Sequence, residues 1–244
     1  MDETQILVGG YRFTSLEAKA AFCRRMIHAH SNSPEHNDLW RHYPMLYDHA
    51  EEAFLIFPFI PGISGELSRH ETFLPHSRAL TDLLSLRDRD LLASMKRHSL
   101  ALWNELGPED ALSWKSDFHI RLGAQEGDRH WVNMEVRPLA FDLGERVWLT
   151  LGMLRMRQPR GLSFPHFRDT QTEQAALVDT ATGQLQRVSK LELQIIYYAS
   201  LGSNFSTMSR QLGLNRKVLS SAGQELAERL GYADLRALLL ALEF

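Results

Sequence analysis

VSKLELQIIYYASLGSNFSTMSRQLGLNRKVLSSAGQELAERLGY, residues 188–232, decides how the chain is read. Its apolar residues recur at helical intervals, and its glycines fall where helices would stop. Ser189 followed three residues later by Glu192 is a capping-box signature, opening a helix that runs to about Leu201 and ends at Gly202. A second helix begins near Asn204 or Ser206 and ends at Gly213. A third starts after Asn215, whose side chain suits an N-cap, and runs to Leu230 before Gly231. Asp234 suits the cap of a fourth, in which Leu235, Leu238, Leu239 and Leu242 follow the i, i+3, i+4, i+7 spacing. The interval Leu212, Gly213, Leu214, Asn215 matches a helix-turn-helix, in which a short glycine-bearing turn sets two helices at a steep angle.

Upstream, ALVDTATGQLQRV (176–188) offers two short alternating runs around TATG, the pattern of a small hairpin. RQPRGLSFPHFRDTQ (157–171) carries proline and glycine without an apolar period and is expected to be a linker. Before it, FHIRL places Phe118, Ile120 and Leu122 on one face, and RHWVNMEVRPL alternates Val132, Met134 and Val136 with polar residues. With the turns GAQEGD (123–128) and FDLGER (141–146) and the run VWLTLGMLRM, residues 118–156 predict a three-stranded antiparallel meander. DRDLLASMKRHSLALWNEL (88–106) has Leu91, Leu92, Met95, Leu102 and Leu106 at helical intervals and leads into that meander. EAFLIFPFI (52–60) reads as one or two buried strands broken at Pro58, and residues 11–30 contain an amphipathic helix starting near Ser15.

The bulk numbers narrow the function classes. A chain of 244 residues that is 44% apolar and 23% charged has ordinary globular composition. The single cysteine, Cys23, excludes an internal disulfide. AFLIFPFIPGI (53–63) is too short for a bilayer, which needs roughly 20 apolar residues. The acidic start MDETQILVGG lacks the basic and apolar segments of a signal peptide, so a cytoplasmic location with no membrane partner is expected. Residues 1–158 hold 18 Lys and Arg against 22 Asp and Glu, and residues 188–244 hold six against five. That contrast is mild for a nucleic-acid binder.

Enzyme signatures are absent from the sequence: no P-loop, dinucleotide glycine fingerprint, HExxH or G-x-S-x-G occurs. The pairs Asp88 with Asp90 and Glu51 with Glu52 read as helix-start and solvated carboxylates, and the chain is read as a non-enzyme.

Residues 188–232 resemble, without a gap, the LuxR/GerE-type helix-turn-helix. The resemblance rests on Glu192, Ile195, Ile196, Gly202, Met208, Leu212, Gly213, Leu214, Lys217, Leu219, Leu226, Leu230 and Gly231. It implies a four-helix bundle whose third helix enters the major groove of promoter DNA. The outward positions of that helix, usually basic in the family, fall here at Ser220, Ser221, Ala222, Gly223 and Gln224. Arg216 and Lys217 remain at its start for phosphates, serine and glutamine offer groups for base edges, and Gly223 would permit close approach. The helix N-termini near Ser206 and Asn215 can point amides at phosphates. The DNA-contacting set is therefore Asn204, Ser206, Asn215, Arg216, Lys217, Ser220, Ser221 and Gln224. The leucine stripe Leu235, Leu238, Leu239 and Leu242 fits a core face alone, while by the same resemblance it pairs two copies, which would set two reading helices about one DNA turn apart.

Residues 43–156 resemble, more loosely, the PAS-type sensor of LuxR-family regulators. The elements that carry this are LRDRD, the helix after it and the strand SDFHIRL. Such domains bind a small ligand or only dimerise, so no cofactor is required by the sequence, while a small ligand or haem stays open. His28, His30, His36, His42, His49, His70 and His76 match no metal spacing and read as surface residues. Trp103, Trp114, Trp131 and Trp148 read as core or dimer-face residues.

The expected class is α+β, with a PAS-like antiparallel sheet followed by an all-α four-helix domain. The expected divisions are a helical segment at 1–42, a PAS-like domain at 43–157, a linker with a small hairpin at 158–187 and a DNA-binding domain at 188–244. The expected function is a dimeric transcriptional regulator controlled by the PAS-like part. The alternatives are a protein-interaction regulator with a degenerate helix-turn-helix and a haem or small-ligand sensor.

Overall fold

A computed structural model describes residues 6–8, 11–13, 18, 21–22, 25, 43–56, 83–123, 129–156, 164–172, 174–178 and 184–242. It divides into two units, residues 1–116 with 120–158, and residues 117–119 with 159–244. The expected strand break at Pro58 and most of the helix expected near Ser15 lie outside the described residues.

The first unit contains β1 (Ile6–Val8) and β2 (Tyr11–Phe13), which pair antiparallel. It also contains β3 (Tyr43–Asp48), β4 (Ala53–Ile56), α1 (Leu86–Leu106) and α2 (Pro108–Ala111). Its remaining strands are β5 (Trp114–Leu122), β6 (His130–Phe141) and β7 (Val147–Met156), residues 117–119 being counted with the second unit. The strand order is β5-β6-β7-β3-β4. Along β5 every second residue from Trp114 to Leu122 is buried, the two-residue period expected of a strand with one face on the core. The β6–β7 connection is the expected FDLGER turn, in which Asp142 Oδ1 accepts from the amides of Gly144 and Arg146, both at 2.9 Å. An aspartate folded back onto amides ahead of it is a common way to fix a tight turn.

Helix α1 starts where Ser85 caps it by accepting from the amide of Asp88 at 3.1 Å. It buries Leu91, Met95, Leu102 and Trp103, spaced to lie on one side. Asp88 stands in the first turn of α1, as its helix-start reading expects, and it is buried there: it is 4% exposed, accepts from the amide of Arg121 at 3.3 Å and lies 3.5 Å from Arg121 Nε. The carboxylate therefore serves the positive end of α1 and ties it to β5 at once. Trp103, Trp114 and Trp148 are buried in this unit.

The second unit overturns the expectation of an all-α four-helix domain. It contains β8 (His166–Asp169), β9 (Ala175–Val178) and β10 (Leu185–Val188) before α3 (Lys190–Ser200), α4 (Phe205–Leu212), α5 (Arg216–Arg229) and α6 (Leu235–Leu242). The strands run antiparallel in the order β10-β9-β8, with Leu185 opposite Val178 and His166 opposite Leu177. Strand β8 lies inside the stretch read as linker. The physical reason for the correction is a shared core: Phe164, Ala175, Leu177 and Val188 pack with Ile196, Leu226, Leu238 and Leu242. The strands cover the apolar side of the helices, so this unit is α+β.

A second cluster, Ile195, Met208 and Leu219 with Phe205, Leu212 and Ala222 beside it, joins α3, α4 and α5. Gly223 belongs to this contact and not to the outward face. A Cβ added there would sit 3.2 Å from Cζ of Phe205 and 3.6 Å from Cγ2 of Ile195. A bulky side chain there must displace the Phe205 ring or move α5 away from it. Gly223→Val is expected to destabilise the second unit by about 1–3 kcal/mol, read as a lower midpoint in urea unfolding followed by circular dichroism. An unchanged midpoint would remove Gly223 from the packing account.

Candidate nucleic-acid interface

Helix α4 begins at Asn204, whose Oδ1 accepts from the amide of Thr207 at 3.0 Å. It ends at Gly213, which adopts the left-handed conformation (φ 67°, ψ 21°) that lets the chain reverse without a side-chain clash. Ser209 Oγ donates to the carbonyl of Leu214 at 2.6 Å, bracing the turn. Asn215 then caps α5 by accepting from the amide of Lys217 at 2.8 Å. Two capped helices joined by a short glycine turn are the scaffold of a helix-turn-helix.

All eight residues expected to contact DNA, Asn204, Ser206, Asn215, Arg216, Lys217, Ser220, Ser221 and Gln224, are exposed. Asn204 and Asn215 spend their side-chain oxygens on the caps. Leu219, Gly223, Leu226 and Ala227 occupy the opposite, buried side of α5, and Ala222 is half-buried. The outward side carries two further residues that sequence reasoning missed, Glu225 and Glu228. Ser221 Oγ donates to Glu225 Oε1 at 2.7 Å, and Gln224 Nε2 donates to Glu228 Oε1 at 2.8 Å. The signal was legible: each acid lies four residues beyond its partner, one helical turn on.

The leucines expected to pair two copies are placed against this unit's own core. Leu238 and Leu242 are buried, and Leu235 and Leu239 pack half-buried beside them. The outward side of α6 presents Leu240, which is 61% exposed.

One side chain holds three elements together. Arg229, at the end of α5, donates through Nη1 to the carbonyl of Arg187 on β10 at 2.8 Å and through Nη2 to Glu192 Oε1 on α3 at 2.6 Å. Glu192 also completes the expected capping box, accepting from the amide of Ser189 at 2.6 Å. Burial alone raises the Glu192 carboxyl, but the Ser189 amide and the Arg229 guanidinium outweigh it and hold the group below the usual glutamate range. These residues line an open cleft of about 580 Å³ together with Ala175, Leu191, Ala222 and Glu225.

The first unit carries a separate polar group around the β3–β4 turn. Asp48 is buried, accepting from Trp148 Nε1 at 3.2 Å and from the amides of Ala50 and Glu51 at 2.9 and 3.1 Å. Lys96 of α1 donates to the Tyr47 hydroxyl at 3.0 Å, and His49 Nε2 lies 3.1 Å from Thr150 Oγ1. His49 is pushed down to about 4, chiefly by burial and then by the Lys96 charge, with Asp48 pulling the other way. It is therefore neutral in the folded protein near pH 7 and half-buried, not a surface histidine. His28, His30, His36, His42, His70 and His76 lie outside the described residues. Among the described residues no group of three or more His, Cys, Asp or Glu is placed to hold a metal ion. No described helix is long and apolar enough to cross a membrane.

No family model matches the chain, and no curated protein matches it. Among solved structures, it is similar to a domain of a provisionally assigned light and redox sensing histidine kinase from Haloarcula marismortui. That likeness is 17% identical with a TM-score of 0.35 and covers 55% of this chain and 99% of that one. It is also similar to the phage VqmA–DPO complex, at 15% identity and a TM-score of 0.34, covering 92% of this chain and 88% of that one. Likenesses this distant carry no functional weight.

The lowered His49 value fixes a sign. An unfolded histidine titrates near 6.5, so between that pH and about 4 the unfolded chain takes up a proton that folded His49 refuses. The stabilising contribution is complete above 6.5 and is lost as pH falls through this window. His49→Gln is expected to flatten the acid loss of stability of the first unit between pH 7 and 4.5, measured by denaturant midpoints. Parallel losses in wild type and variant would show that His49 carries no such dependence.

Proposed function

We propose that the chain is a DNA-binding transcriptional regulator of LuxR kinship that reads promoter DNA with α5, acts as a homodimer and takes its input through the PAS-like first unit. The observation that supports this best is the capped α4–turn–α5 pair, with Arg216, Lys217, Ser220, Ser221 and Gln224 all exposed. Arg216 and Lys217 sit in the first turn of α5, where cations displace counterions from phosphates and free amides point the same way. A small-molecule input rests on the Tyr47, His49 and Lys96 group, which places a phenol, a neutral imidazole and an ammonium within one part of the first unit. A protein-interaction role is the second reading, favoured by the engagement of Ser221 and Gln224 with Glu225 and Glu228.

The deciding experiment is capture of genomic fragments at ~50 and ~200 mM salt by wild type and by Arg216→Glu/Lys217→Glu. Selective enrichment that falls with salt and is lost in the variant is the expected outcome. Both substituted positions are exposed, so the variant should keep the wild-type melting curve. A folded wild type that enriches nothing at either salt concentration would transfer the assignment to the protein-interaction reading.

A further inference from the structure

We infer that Glu225 and Glu228 limit the DNA affinity of α5 and direct it toward bases that present amino groups, an inference that rests on α5 being the reading helix. Lys217, Ser221, Gln224 and Glu228 recur at i, i+4, i+7 and i+11 and so form one stripe along the helix, with Glu225 beside Ser221. All five are exposed, on the side away from Leu219, Gly223, Leu226 and Ala227. A duplex brought against Ser221 and Gln224 therefore meets two carboxylates as well.

Two effects follow from this geometry. The first is electrostatic. Duplex DNA carries a negative charge about every 1.7 Å of its axis, so Glu225 and Glu228 offset the two cations, Arg216 and Lys217, that begin the same helix. The second is directional. Ser221 spends its hydroxyl hydrogen on Glu225, and Gln224 donates from its amide nitrogen to Glu228. An ionised carboxylate has only acceptors. The outward face is thereby enriched in acceptors: the carboxylates, the Ser221 oxygen and the Gln224 carbonyl.

In the major groove the donors are the amino groups of cytosine N4 and adenine N6, whereas guanine N7 and O6 and thymine O4 accept. An acceptor-rich helix matches cytosine and adenine edges and is mismatched to guanine and thymine. This preference is opposite to that of the arginine-bearing helices that read guanine. It turns the missing basic residues of α5 into a specificity device.

The test uses the full chain and a randomised duplex library, comparing wild type with Glu225→Gln, Glu228→Gln and the double variant. Glutamine keeps size and can still accept from Ser221 and Gln224, and it adds donors while removing charge. The double variant is expected to bind bulk duplex about tenfold tighter at low salt, with guanine newly tolerated at positions where wild type selects cytosine or adenine. Should its melting curve fall, the two single variants carry the same comparison. A wild type that enriches nothing beside a double variant that binds overturns the base preference, because no wild-type motif then exists for the carboxylates to direct. Enrichment of the same motif with the same affinity by wild type and double variant overturns it while leaving the DNA-reading role intact. No enrichment by any of the folded proteins overturns the DNA-reading role itself.

Discussion

The second unit depends on one apolar contact, the meeting of Phe164, Ala175, Leu177 and Val188 with Ile196, Leu226, Leu238 and Leu242. Helices of 8 residues, as α4 and α6 are, are marginal alone in water, and three short strands need an apolar face packed on another layer. Burying each against the other removes both apolar faces from water, which is the main favourable term in such a fold. The outward face of α5 is consequently held from behind: Leu226 is in the strand-covered core, while Leu219 is locked to α3 and α4.

Much of this was legible in residues. The Ser189–Glu192 box, the stops at Gly202, Gly213 and Gly231, and the caps Asn204, Asn215 and Asp234 all stand where local chemistry requires them. Local signals of this kind need only a few neighbours along the chain. What periodicity does not reveal is what covers an apolar face. The leucines of α6 showed a stripe, and the stripe fits a core, a partner copy or both; the strands that bury it are some 50 to 70 residues away in sequence. Strand β8 was hidden by Pro165 and Gly161, which punctuate a short run whose apolar residues Leu162, Phe164 and Phe167 are too few to show a period.

The candidate interface was legible in position and less so in character. Spacing alone places Ser221 and Gln224 outward, and both are exposed. Gly223 was misplaced because it was counted with its neighbours in sequence. It lies four residues from Leu219 and from Ala227, both buried, so the helical period puts it on the inner side. Asp88 shows the same limit in the first unit: its place near a helix start was plain, but its partner Arg121 comes from a strand 33 residues further on.

The packing glycine also shapes how this helix can diverge. Along α5 the positions that hold the fold alternate with those that face outward, so the two sets answer to different pressures. Gly223 packs against the Phe205 ring of α4, which must give by a few tenths of an ångström before even a methyl group fits there. Ser220, Ser221, Gln224, Glu225 and Glu228 are all exposed. The outward residues can therefore be exchanged for others while the buried side of the helix is kept, and a designer can randomise those five codons without touching Leu219, Gly223, Leu226 or Ala227.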